Sequence, residues 1–127
     1  MELPVGLERA HSVKELMATS DVVSVHLRLS PDTQSFIGAP QFALMKPGAI
    51  LLNTARGAIV NESALLDALI AGPLDAAALD VFTTEPLPPH HPLTTLPNVV
   101  LTPHCAGITP EALHAGLQMA VDNIWAR

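Results

Sequence analysis

Four short apolar runs decide what this chain can fold into. They are VVSVHL (residues 22–27), AILLN (residues 49–53), AALDVF (residues 77–82) and NVVLT (residues 98–102), and segments carrying turn or helix signals separate them. Strands that alternate with helical segments pair in parallel, because each crossover brings a helix back over the sheet. The class is therefore α/β. The near-continuous apolar character of VVSVHL predicts a strand buried on both faces.

The intervening segments read as short helices with recognisable ends. Ser12 and Glu15 have capping-box spacing, and Leu16 and Met17 continue that helix toward Ser20. Pro40 opens a brief helix over residues 41–46, which Pro47-Gly48 stops. Asn61 caps a third, with Glu62 in its first turn, an apolar stripe at Leu65, Leu66, Leu69 and Ile70, and Gly72 closing it. Thr109-Pro110-Glu111 starts the last helix, where Leu113, Leu117, Ala120 and Ile124 fall at helical spacing and predict core packing. A Pro-rich loop over residues 85–97 covers the rim between the third and fourth strands.

At 127 residues the chain is long enough for one core and too short for two, so residues 1–127 are expected to form a single domain. Its six basic residues, Arg9, Lys14, Arg28, Lys46, Arg56 and Arg127, are scattered against a formal charge of -6, which leaves no stripe for nucleic acid. No apolar run has the ~20 residues of a membrane span, and the N-terminus lacks a signal pattern, so a cytosolic protein is expected. The lone Cys105 permits no internal disulfide and fits a reducing compartment.

Loops at the carboxyl ends of parallel strands carry the ligand site. Arg56 follows AILLN, Glu85 follows AALDVF and His104 follows NVVLT, so neighbouring strands would deliver all three to one rim. A guanidinium binds a carboxylate in a two-point fork, and an imidazolium can give a proton to an alkoxide. A carboxylate beside the imidazole favours its charged form. This is the chemistry of 2-keto acid reduction.

The segments VVSVHL, LLNTARG, ALDVFTTEP and NVVLTPHCAG, in this order, resemble the NAD-dependent D-isomer-specific 2-hydroxyacid dehydrogenases over about residues 5–127. The resemblance implies a partial Rossmann-type sheet. It makes Arg56 the binder of the substrate carboxylate, His104 the acid/base and Glu85 its orienting partner. It places Thr54, Ala55, Arg56, His104 and Gly107 at the nicotinamide side of the cofactor and Asp80 in contact with the nicotinamide end, with His26 and Leu27 passing beneath. The cofactor implied is NAD, with NADP left open, and the substrate a small 2-keto or 2-hydroxy acid.

This sequence departs from the family pattern at Arg28, where proline is frequent, and at Ala76, where glycine is usual. More consequentially, its seven glycines, at 6, 38, 48, 57, 72, 107 and 116, include no G-x-G pair. The phosphate-binding turn and the first βαβ unit are thus missing from the expected fold. A truncated domain that keeps the fold and the three polar residues without turning over is the alternative reading. The VVSVHL edge would then be bare, predicting either a homo-oligomer or a residue 1–20 segment folded back over it.

Other residues have plainer readings beside the functional ones. Asp80 could cap a strand end, His26 could be structural, and His104 alone could be a hydrogen-bonded turn residue. The His90-His91 pair reads as rim loop, since adjacent histidines in an extended segment point apart and no third ligand lies nearby in sequence; no metal site is expected. Cys105 reads as a small buried filler.

Overall fold

The computed structural model describes residues 4–126. Four strands form one parallel sheet in the order β1-β2-β3-β4: β1 (Val22–Val25), β2 (Ala49–Asn53), β3 (Leu74–Leu79) and β4 (Val99–Leu101). The helices are α1 (Val13–Thr19), α2 (Ala39–Phe42), α3 (Glu62–Ile70) and α4 (Pro110–Trp125). Together they make a partial Rossmann-type fold without its first βαβ unit.

The caps read from the sequence act as written. Ser12 Oγ accepts from Glu15 N, Asn61 Oδ1 from Ala64 N and Thr109 Oγ1 from Ala112 N, so three helices start on a side-chain acceptor. The second helix begins at Ala39 and is shorter than expected, with Pro40 in its first turn. Strand ends moved too. β1 stops at Val25, and β3 runs from Leu74 to Leu79, which places Asp80 just beyond a strand and not within one.

Successive strands are added in one direction, and parallel crossovers of the usual right hand then collect the connecting elements on one face of the sheet. Val23, Val25, Leu51, Ala77 and Leu79 point to that face and are buried with Met17, Phe42, Ile59, Leu65 and Leu93. Leu51, Ile59 and Leu93 have essentially no exposure, and burial of each contributes about 1.5–3 kcal/mol. The opposite face is open, with Val22 at 51% and Val100 at 63% exposure. The expectation that residues 22–27 are buried on both faces is therefore corrected: β1 alternates exposed and buried. Only one face has helices to cover it.

β1 is an edge strand, paired with β2 alone. Residues 4–9 of the segment expected to fold back are exposed throughout and add no strand to it, while residues 1–3 lie outside the described residues. A second correction concerns α4. Its stripe was expected to pack into the core, yet α4 buries no residue, and Leu113, Leu117 and Ile124 are more than half exposed. The helix follows the edge strand β4 in the chain and buries none of its side chains. Among the described residues, no helix is long and apolar enough to cross a membrane.

Candidate active site

The site begins at the end of β2. Strand alternation turns Ala49, Leu51 and Asn53 to the same buried face, so an amide follows two apolar side chains into the core. A buried amide must find partners. Asn53 Nδ2 donates to Arg56 O at 3.1 Å and Asn53 Oδ1 accepts from Ala55 N at 3.1 Å, which folds residues 53–56 into a tight turn. Arg56 leaves that turn with extended backbone and an exposed side chain, and one guanidinium nitrogen, Nη1, donates to Ala55 O at 2.6 Å. Among the described residues this is the hydrogen bond that the guanidinium makes, and its other N–H groups lie on an exposed side chain.

Gly57 explains how close the neighbouring loops lie. A Cβ at this position would sit 2.0 Å from the carbonyl carbon of Phe82, so any side chain would separate the loop after β2 from the loop after β3. Only glycine permits the approach.

Beyond β3, Asp80 N donates to Asn53 O at 3.0 Å and joins the two loops. The Asp80 carboxylate is buried and receives Thr102 Oγ1 and Cys105 N on one oxygen and Ala106 N on the other. These bonds bracket His104, whose φ of +54° lies in the left-handed region. For a residue with a Cβ that conformation costs about 1–2 kcal/mol, and the bracket holds it. Glu85 Oε1 accepts from Phe82 N at 2.9 Å, leaving Oε2 to meet His104 Nδ1 at 2.7 Å.

The charges follow from these contacts. The hydrogen bond from His104, and then the Phe82 amide, hold the Glu85 carboxyl below its ordinary value, with Arg56 adding to the effect. Burial pushes Asp80 up, but the bonds from Thr102, Ala106 and Cys105 outweigh it and keep this carboxyl below its ordinary value as well. Glu85 and Asp80 are thus both anionic near neutral pH.

Two cavities meet at Arg56. One, of about 310 Å³, is bordered by Leu29, Arg56, Gly57, Phe82, Glu85 and His104. The other, of about 430 Å³, runs past His26, Leu27, Arg28, Thr54, Ala55 and Arg56. Arg56, Glu85 and His104 therefore converge on one rim, as their positions after successive strands require. His26, Leu27, Thr54 and Ala55 line the adjoining cavity. Gly107 is exposed and borders neither, and Asp80 is buried beneath the His104 loop. His26 Nε2 lies 2.8 Å from Ser24 Oγ. His91 Nε2 pairs with Glu62 at 2.8 Å and its Nδ1 accepts from Leu93 N, so this histidine ties the rim loop to α3. Cys105 is half-buried, more open than a core filler.

Asn53 was not singled out from the sequence. The available signal was its place at the end of an apolar strand, in phase with Ala49 and Leu51. That phase requires burial, and burial requires partners.

A parallel sheet with a polar rim after its second, third and fourth strands defines a Rossmann-type dinucleotide-binding domain. The family is specific: residues 3–106 match the D-isomer specific 2-hydroxyacid dehydrogenase, NAD binding domain, and the chain belongs to that family. It is 50% identical over 126 residues to a glyoxylate reductase of Aeropyrum pernix, covering 99% of this chain and 37% of that one. A D-isomer specific 2-hydroxyacid dehydrogenase from Xanthobacter autotrophicus, solved with NADPH and MES, superposes with a TM-score of 0.71 at 42% identity, over 72% of this chain and 29% of that one. D-lactate dehydrogenase with NAD+ from Lactobacillus jensenii superposes at 0.78 and 31% identity, over 87% and 37% of the two chains. The chain thus spans between about a fifth and just over a third of the length of the curated relatives it matches.

Proposed function

We propose that this chain carries the substrate-binding arginine and the proton-transfer pair of an enzyme that moves hydride between a nicotinamide cofactor and a small 2-hydroxy or 2-keto acid. The observation that carries the reading is the 2.7 Å contact of Glu85 with His104 beside a cavity that Arg56 also borders. Arg56 binds the substrate carboxylate in a two-point fork and fixes the carbonyl next to it. With Nδ1 committed to Glu85, Nε2 of His104 is the nitrogen that gives a proton to the substrate oxygen on reduction and takes it back on oxidation. Glu85 orients the ring and balances its charge.

The cavity lined by His26, Leu27, Thr54 and Ala55 suits the nicotinamide end of NAD or NADP, which when bound supplies or accepts the hydride. Both forms are kept, since one solved relative holds NADPH and another NAD+. Gly107 and the backbone of residues 105–106, fixed by Asp80, would face the same end. No G-x-G turn occurs in the sequence, so these residues alone should hold the cofactor weakly. Turnover is proposed only for these residues combined with the remainder of such a cofactor domain. We also place the protein in the cytosol, in keeping with its free cysteine, and pair it with a second copy through the bare β1 edge.

NMR titration with oxamate, a 2-oxo acid mimic that cannot be reduced, tests the site. Saturable shifts at Arg56 and His104 that vanish in Arg56→Gln support it. Shifts at neither residue would count against it.

A further inference from the structure

Asn53 and Asp80 are the buried polar side chains among the described residues, and they stand at the ends of adjacent strands. Each holds a loop that carries one of the proposed reacting groups. Asn53 ties down the Arg56 loop through Ala55 N and Arg56 O, while Asp80 brackets His104 through Thr102, Cys105 and Ala106. The backbone bond from Asp80 N to Asn53 O, 3.0 Å, links the two. We propose that Asn53 is a positioning residue: its side chain sets the direction in which Arg56 leaves the sheet and, through Gly57 and Phe82, the placement of the Glu85–His104 pair beside the guanidinium.

The chemistry of the side chain supports this role. The turn presents an N–H at Ala55 and a C=O at Arg56, and one short side chain must answer both. A primary amide carries an acceptor and two donors on a planar head, so Asn53 satisfies the two peptide groups at once. Aspartate could accept from Ala55 but not donate to Arg56, and a buried charge would follow. Alanine would leave both peptide groups and a void. Glutamine has the right head one methylene too far along.

Position matters because the Arg56 side chain has few other restraints. It is exposed, and its one hydrogen bond among the described residues runs to Ala55 O, a carbonyl inside the turn that Asn53 closes. Loosening the turn moves both the Cα of Arg56 and the carbonyl that anchors its guanidinium. Gly57 then carries the movement to Phe82, against whose backbone it lies, and Phe82 N is the donor that holds Glu85. The same turn is therefore coupled to the arginine and to the Glu85–His104 pair.

The inference rests on the reading of Arg56 as the carboxylate binder, and its test reads Arg56 without any ligand, so the two can fail separately. In the wild-type chain, NMR should detect a through-hydrogen-bond coupling between the Asn53 side-chain carbonyl carbon and the Ala55 amide nitrogen. In Asn53→Ala, the Ala55 amide should exchange with solvent on the order of tenfold faster, as loss of one buried hydrogen bond implies. The Arg56 Nε–H signal should move toward the position of an unrestrained arginine, while the methyls of Leu51 and Leu79 report an intact core. Asn53→Asp should keep the Ala55 protection yet still shift Arg56. An absent coupling in the wild type would overturn the proposal even if Asn53→Ala failed to fold. So would a folded Asn53→Ala chain in which the Arg56 signal stays where it was.

Discussion

Glu85 Oε2 lies 2.7 Å from His104 Nδ1, and the other Glu85 oxygen is held by the amide of Phe82. The carboxylate is therefore fixed by a backbone group before it meets the imidazole. Its depressed pKa has the His104 hydrogen bond as the largest cause. In His104→Ala the Glu85 carboxyl should titrate closer to its ordinary 4.5, followed through its side-chain carboxyl carbon. An unchanged titration would show that Phe82 alone sets it.

Stability should fall on the acid side. Asp80 and Glu85 both have folded-state pKa values below their ordinary 3.8 and 4.5, so their stabilisation is complete above those values and is lost as pH falls through the depressed ones. Thermal unfolding should hold its midpoint down to about pH 5 and drop steeply below pH 4. Asp80→Asn should cost about 1–3 kcal/mol at neutral pH, since its amide head cannot accept from three donors, and it should flatten the acid slope. A slope unchanged by that substitution would remove Asp80 from the explanation.

Gly57→Ala should be among the most damaging single methyl additions in the chain. Its Cβ would overlap the Phe82 backbone, and overpacking of this kind costs about 1–3 kcal/mol or more. Urea unfolding measures it. A variant as stable as the parent would mean that the two loops can part without loss.

The open sheet face and the β1 edge should make the chain self-associate. Light scattering over a micromolar concentration series is expected to show mass rising with concentration, and Val22→Lys, at the exposed edge, should reduce it. Substitutions on α4 separate a different contribution: Leu117→Ala should change monomer stability by less than about 0.5 kcal/mol, because the helix buries nothing within the chain. A monodisperse monomer at every concentration would contradict the assembly proposal.

Much of this was legible in residue order alone. Ser12, Asn61 and Thr109 announced their helices because a cap is a local interaction, and the four strands were legible because each is a compact apolar run. Arg56, Glu85 and His104 could be brought to one rim because each follows a parallel strand. What escaped was long-range. Whether a helix finds a surface, as α4 does not, depends on what stands across from it and not on its own period. The role of the Asp80 carboxylate depended on Thr102, Cys105 and Ala106, more than twenty positions away in the chain, with no local pattern to reveal them.

The account as a whole turns on whether Arg56 and His104 perform chemistry when the rest of a cofactor domain is supplied. The most direct measurement replaces the matching segment of the Aeropyrum pernix glyoxylate reductase with residues 5–126 of this chain and follows NADH oxidation by glyoxylate. The chimera is predicted to turn over, with His104→Ala lowering kcat on the order of a hundredfold or more and Arg56→Gln mainly raising KM. A folded chimera that binds NADH and reduces glyoxylate equally well with and without His104 would contradict it.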